Sequence, residues 1–359
     1  MRDHLLSPGK VGSLNLPNRL VMGPLTRMRA SADGVMGSLN AEYYAQRASA
    51  GLIVSEGVFP HISGKSYPGQ PGLQTSEQIE GWRLVTDAVH SEGGRIFAQI
   101  MHGGRISHER ITGGLQPVAP SAVQPEGLAR VEGEKLSLPV PRAIETDEIA
   151  KVQEFYVTAS ANAVEAGFDG IELHGANGYL LHEFISDVTN LRDDAYGGSI
   201  ENRVRFVAET AKLVADRIGP ERTAIRISPG QNVNDISEHD EHETYPALLK
   251  QLNEVGLAYV HVLESPPDTG WSAVDLVREH WDGVLIANSN FLVDWPADVT
   301  DQLLEDKRAD LYCYGRRFIS NPDLVERIRT GADLNEADPA TFYGGGAEGY
   351  TDYPFLPNS

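Results

Sequence analysis

Apolar residues gather into eight short runs spread along nearly the whole chain: Arg19–Leu25, Leu52–Val58, Arg95–Met101, Gly170–His174, Thr223–Ser228, Tyr259–Leu263, Val284–Ala287 and Leu311–Tyr314. Several carry β-branched residues, and most are continuous rather than alternating. Such runs predict strands buried on both faces, as in a parallel sheet covered by helices. The stretches between them have a different period. Thr75-Ser76-Glu77-Gln78 has the spacing of a capping box; Ile79, Trp82, Val85 and Val89 follow at helical intervals, and Gly93-Gly94 stops the pattern. Ser199 precedes a stripe of Val204, Val207, Ala211, Val214 and Ile218 that Gly219-Pro220 closes. Thr146 precedes Ile149, Val152, Phe155, Tyr156 and Ala159. Asn321-Pro322, a capping residue followed by proline, predicts a helix start ahead of Leu324, Val325 and Ile328.

Strands alternating with helices predict an α/β fold, a single (β/α)8 TIM barrel spanning residues 1–359 as one domain. An open doubly wound sheet repeats the same units and remains the alternative. Leu5–Pro17 predict a hairpin capping the barrel floor. Residues of about 103–145, rich in proline and carrying Gly113-Gly114, predict a long insertion after strand 3. Residues of about 331–359 form a C-terminal tail. There Tyr343-Gly344-Gly345-Gly346 reads as flexible, while aromatic residues through Phe355 predict packing.

Composition narrows the function classes. Of the 359 residues 41% are hydrophobic and 23% charged, ordinary for a globular protein, and no apolar run approaches a membrane span. The formal net charge of −21 lacks the basic footprint that nucleic-acid binding needs. A single cysteine, Cys313, permits no internal disulfide and fits a reducing cytoplasm. The expected partner is a small molecule, with no nucleic acid and no membrane, for a monomer or homodimer.

Polar groups fall where a barrel places its chemistry, at the C-terminal ends of strands. Strand 1 ends in Pro24-Leu25-Thr26-Arg27, strand 2 in Ser55-Glu56-Gly57, and strand 3 in Gln99 through Met101 and His102. Strand 5 ends in Arg226-Ile227-Ser228, strand 7 in Asn288-Ser289-Asn290 and strand 8 in Gly315-Arg316-Arg317. The last two suit a phosphate, through backbone N–H groups and an arginine; ordinary salt bridges are the plainer alternative for the arginines. Strand 4 leads into Glu172-Leu173-His174-Gly175-Ala176-Asn177-Gly178-Tyr179, which offers an imidazole, a carboxamide and a phenol on a glycine-rich turn. Neither phosphate-binding loop G-x-x-x-x-G-K-[ST] nor dinucleotide motif G-x-G-x-x-G is present in the required context. Glu172, His174, His182 and Glu183 match no standard zinc spacing, so no metal is expected. The run Glu238–Glu243 reads as a solvated acidic loop.

The segment His174–Arg203, including Tyr196-Gly197-Gly198-Ser199-Ile200-Glu201-Asn202-Arg203, resembles the Old Yellow Enzyme family of FMN-dependent ene-reductases. Pro24-Leu25-Thr26-Arg27, Gln99, Gly315-Arg316 with Asn321-Pro322, and Phe342-Tyr343-Gly344-Gly345-Gly346 extend the resemblance over nearly the whole chain. It implies a barrel with FMN across its mouth and NADPH or NADH as reductant. It also implies activated C=C bonds as substrates (enones, enals, nitroalkenes, and nitrate esters as a further class). The implied flavin contacts are Pro24, Leu25, Thr26, Gly57, Gln99, His174, Arg226, Ser289, Asn290, Gly315 and Arg316. Among them Thr26 would meet the O4 edge, Gln99 the pyrimidine, Arg226 the N1/O2 side, and Asn290 with Arg316 the phosphate. His174 and Asn177 would hold the substrate oxygen and Tyr179 would donate the proton, with Tyr67, Met101 and Tyr343 lining the substrate space. Met101 stands where many bacterial relatives have tryptophan, and Ser289 where glycine is common. Two other readings stay open: a metal-assisted hydrolase or lyase on Glu172, His174 and His182, and a barrel that only binds a ligand.

Overall fold

The computed structural model describes residues 3–131 and 133–357. Met1, Arg2, Glu132, Asn358 and Ser359, which the expected domain includes, lie outside the described residues. Eight parallel strands close into a barrel: Leu20–Met22, Leu52–Val58, Ile96–Ile100, Gly170–Gly175, Thr223–Ile227, Val260–Leu263, Leu285–Asn288 and Leu311–Tyr314. Each pairs with the next, and the last returns to the first through Tyr312 opposite Leu20. The closed barrel excludes the open-sheet alternative. All eight coincide with the apolar runs because a closed parallel sheet packs helices outside and side chains inside, leaving few strand positions for polar residues.

The described helices alternate with the strands as the periodicity predicts. Thr75 caps Ser76–Ser91 in a reciprocal box with Gln78, and Ser199 caps Ile200–Ile218. Their apolar faces join the large cluster between barrel and helices, with Trp82, Val207 and Val214 fully buried. A separate cluster fills the barrel interior: Leu52, Val54, Phe97, Ala224, Ile286 and Leu311. The hairpin Gly9–Val11 and Leu14–Leu16 closes it from below, inserting Val11 and Leu16 into that cluster. Each such side chain contributes about 1.5–3 kcal/mol by leaving water. The floor is therefore a dry plug, and the cavity opens at the opposite end.

After strand 3 the insertion carries short strands at Val118–Ala119, Leu128–Val131, Glu134–Ser137 and Arg142–Ala143. Two expectations change. Asn321 does not cap the last long helix, which runs Leu324–Thr330 behind Asp323. Its carboxamide instead donates to Arg317 O at 2.8 Å and accepts from Asn335 N at 2.7 Å, closing the short helix Arg316–Ser320. The tail is anchored as its aromatic residues predicted. Arg27 and Arg29 donate to the carbonyls of Thr341, Phe342, Gly346, Glu348 and Gly349, and buried Tyr350 stacks on Tyr43 at 4.1 Å.

Candidate active site

The C-terminal ends of the strands surround a cavity of about 330 Å³. Its wall includes Pro24, Leu25 and Thr26 from strand 1, Gln99 and Met101 from strand 3, and His174, Asn177 and Tyr179 from the strand 4 turn. Arg226, Ser289, Asn290, Gly315, Arg316 and Tyr343 complete the set that the sequence singled out. Gly57 and Tyr67 lie off this wall. Gly57 leaves room for Met101, whose Sδ would stand 2.7 Å from a Cβ there. The Tyr67 hydroxyl meets Thr26 Oγ1 at 3.1 Å, so it reaches the cavity through Thr26.

The turn after strand 4 is held from several sides. Asn177 has φ +57°, a left-handed conformation that asparagine tolerates better than most residues, and Gly178 follows with φ +73°. Ser228 Oγ accepts from Asn177 N at 2.9 Å, His182 Nδ1 from Gly178 N at 3.2 Å, and Asn234 Nδ2 donates to Asn177 O at 2.8 Å. His174 and Tyr179 sit with ring centres 5.2 Å apart. Burial raises the Tyr179 phenol above its ordinary value, partly offset by Asn234, so it stays protonated. Burial, with Arg226 nearby, drives His174 well below the usual histidine range, so its ring is neutral and acts as a hydrogen-bonding group rather than a cation.

Buried polar atoms normally have partners. Here His174 Nδ1, Asn177 Oδ1 and Arg226 Nε are buried without one. Gln99 donates through Nε2 to Glu172 at 2.8 Å, and Arg226 through Nη2 to Asn288 Oδ1 at 2.8 Å. Gln99 thus keeps its carbonyl for a donor, and Arg226 keeps an N–H for an acceptor. That complement matches the pyrimidine edge of a flavin, which offers an N–H between two carbonyls. At the far side Arg316 is exposed on the cavity wall and has no ion pair among the described residues, whereas Arg317 is bound to Asp294 at 2.8 Å. The donor set fits FMN. The Asn290 side chain also shapes its own loop. Its carboxamide donates to Ser265 O and accepts from Leu292 N and Val293 N, which orders the loop after strand 7.

Glu172, His174 and His182 have three different sets of partners, and among the described residues no group of three or more His, Cys, Asp or Glu side chains is arranged to hold a metal. His182 lies beneath the turn, meeting Tyr245 Oη and Glu238 Oε2 at 3.3 Å each. Glu238 therefore turns inward, its side chain 2% exposed, unlike the solvated loop expected there. Val233, Asn234 and Phe291 also line the cavity.

Residues 4–335 match the sequence profile of the NADH:flavin oxidoreductase / NADH oxidase family. The chain belongs to this family. A protein of Leishmania infantum described as a probable flavin mononucleotide-dependent alkene reductase is 41% identical over 99% of this chain and 98% of its own. An Old Yellow Enzyme homologue of Zymomonas mobilis superposes with a TM-score of 0.95 at 39% identity, covering 99% of this chain and all (100%) of that one. Morphinone reductase in complex with tetrahydroNAD gives a TM-score of 0.94 at 45% identity over 99% of this chain and 98% of that one. Membership makes the chain a flavin oxidoreductase, and the Old Yellow Enzyme resemblance holds across its fold. No helix among the described residues is long and apolar enough to cross a membrane.

Most of the cavity wall was legible from strand ends. Asn234 was not. Its signal is a backbone one, φ +59° followed by Asp235 at φ +58°, held by buried Arg105, which donates to both carbonyls from the start of the insertion.

Proposed function

We propose that the chain is an ene-reductase that takes electrons from NADPH or NADH through FMN and reduces enones, enals and nitroalkenes, with nitrate esters as a further class. The observation that carries this reading is the convergence on one cavity of neutral His174, Asn177 and protonated Tyr179 with Gln99 and Arg226, of which His174 Nδ1 and Arg226 Nε are buried without a protein partner. The relative from Leishmania infantum, described as an alkene reductase, supports it.

Bound FMN would supply the hydride, delivered to the carbon β to the activating group. Gln99 and Arg226 would hold its pyrimidine edge, Thr26 its O4 side, and Arg316 its phosphate. His174, through a ring N–H, and Asn177, through the NH2 end of its carboxamide, bind the substrate oxygen and stabilise the negative charge that develops there, as preorganised donors do. A neutral imidazole does this without drawing the proton away from Tyr179. Tyr179 gives its proton to the α carbon, and the resulting phenolate regains one from solvent. Tyr343, 64% exposed, and Met101 bound the substrate space, with Tyr67 behind Thr26. One catalytic domain over residues 1–359, working in the cytoplasm as a monomer or homodimer, completes the proposal.

Titrating FMN into flavin-free protein and assaying cyclohexenone and a nitroalkene with each nicotinamide tests the reading. Stoichiometric FMN with alkene-dependent nicotinamide oxidation is expected. Protein that binds FMN yet reduces no alkene would leave only the ligand-binding barrel.

A further inference from the structure

Beneath the cavity, between it and the dry floor, lies a polar cluster built from four strands. Glu172 is fully buried and accepts from Gln99 Nε2 at 2.8 Å, from Tyr259 Oη at 3.0 Å and from His261 Nδ1 at 2.9 Å. Barrel register brings these groups together: Glu172 pairs with Gln99 across strands 3 and 4, while His174, Arg226 and His261 form one row across strands 4, 5 and 6. None of these groups lies on an exposed surface, and Glu172, Tyr259 and His261 do not line the cavity. Burial raises the Glu172 carboxyl, but attraction to His261 and its hydrogen bond, with Arg226 and Gln99, hold it below its ordinary range, so it is an anion. Burial and Arg226 keep His261 neutral, which places its proton on Nδ1, the atom facing the carboxylate.

An anion buried in a barrel core is costly unless it is well paired. Well-packed apolar residues would stabilise this layer as effectively, so its presence calls for a use. Two uses follow from the contacts. A carboxylate can only accept, so Gln99 must turn its NH2 end inward and its carbonyl toward the cavity. The same carboxylate opposes the positive charge of Arg226, and low-dielectric surroundings let charges act over longer range than in water.

We propose that Glu172 is a positioning residue for the flavin. It fixes which end of Gln99 faces the pyrimidine and sets a negative charge under Arg226 that holds the reduction potential of bound FMN down. Reduced flavin gathers negative charge on the side given to Arg226, so an anion below it disfavours the reduced form. Tyr259 and His261 hold the carboxylate in place, and neither touches the flavin. The inference rests on the proposed placement of Gln99 and Arg226 at the pyrimidine edge.

The test is the midpoint potential and FMN dissociation constant of the holoprotein. Glu172→Gln keeps the shape and removes the charge. Its preference for reduced over oxidised FMN should rise about tenfold, a shift of about +30 mV for a two-electron couple. Glu172→Asp keeps the charge but shortens the reach to Gln99. It should bind FMN several-fold more weakly at nearly the wild-type potential. A wild-type potential in FMN-loaded Glu172→Gln overturns the proposal, as does an equal rise in Glu172→Asp. If Glu172→Gln fails to fold, Tyr259→Phe carries the test. It takes one donor from the carboxylate without opening a cavity, and a less neutralised anion lowers the potential; no change or a rise overturns the proposal. Gln99→Leu separates the two layers of inference. If it leaves FMN affinity unchanged, the placement of the flavin is wrong. If it weakens FMN while Glu172→Gln leaves the potential in place, only the role of Glu172 fails.

Discussion

The barrel interior and the loops at its mouth bury polar groups on different terms. Inside, Glu172 has three side-chain donors and remains an anion. Above it, Glu183 is as deeply buried, yet its Oε1 accepts from Arg105 N at 2.8 Å while its Oε2 has no partner. Burial outweighs Arg105 and pushes its carboxyl up to about 8. At the cavity wall His174 Nδ1 and Asn177 Oδ1 are unpaired as well. The difference separates three solutions to one problem. A buried polar group can be satisfied by its neighbours, as Glu172 is. It can give up its charge, as Glu183 does. Or it can wait for a ligand, as His174 and Asn177 do. The third kind marks the site only where it also lines the cavity, as at His174, Asn177 and Arg226; other unpaired atoms, such as those of Tyr43 and Arg83, lie away from it.

The largest effect that tests this division is at Tyr179. Tyr179→Phe keeps the ring and removes the proton, so alkene reduction should fall by about 10²–10⁴, the usual contribution of a general acid. Flavin reduction by the nicotinamide should barely change. Stopped-flow measurement of the two half-reactions decides, and equal loss in both would remove Tyr179 from the proton-donor role.

Glu183 gives the next effect, through pH. Its folded-state pKa of about 8 lies above its ordinary value of 4.5. Between those values the folded protein holds a proton that the unfolded chain has released, so stability falls as pH rises through that window and levels off above it. The full decline is on the order of 5 kcal/mol. Glu56, pushed up to about 7 by burial, adds to the decline below neutrality. Glu183→Gln cannot ionise and should flatten the curve from pH 7 to 8, leaving the part due to Glu56. Denaturant melts from pH 5 to 9 would show this, and an unchanged slope would mean that Glu183 is ionised in the fold.

How much of this was legible depended on the range of the interaction. Strands showed as apolar runs because both of their faces are covered, and Thr75 and Ser199 showed as caps because a cap is settled within four residues. Asn321 carried the same local signal, but Asn335 and Arg317 took its carboxamide, a competition that sequence spacing does not reveal. Asn290 was read as a ligand to phosphate from its place at a strand end, whereas its side chain closes an Asx-type turn. Glu172 was left with a metal role only as an alternative, because its donors, Tyr259 and His261, lie at strand 6, far along the chain. Asn234 gave no signal, since its position depends on Arg105 in the insertion.

The floor offers the contrasting mutation. Leu16 is buried in the cluster that plugs the barrel. Leu16→Ala removes apolar surface and leaves a cavity where neighbours cannot collapse, at a cost of about 3 kcal/mol. The two half-reactions should be unaltered, because Leu16 itself does not line the cavity. A matching fall in alkene reduction would mean that the two ends of the barrel are not independent.

His174→Ala is the smallest effect and the sharpest test of the comparison. A phenolate imitates the developing oxyanion, so phenol binding reports the donors directly. Losing a hydrogen bond to a charged oxygen should cost about 2 kcal/mol, roughly a thirtyfold weaker affinity. Stability should move far less than in Leu16→Ala. His174 Nδ1 has no protein partner to abandon, and the space left by the ring opens onto the cavity rather than into packed core. Phenol titration by flavin absorbance and a thermal melt on the same sample measure both quantities. Weakened phenol binding with an intact melt fits a group that waits for its ligand. An intact affinity with a collapsed melt would make His174 a structural residue, and its unpaired nitrogen would then say nothing about the site.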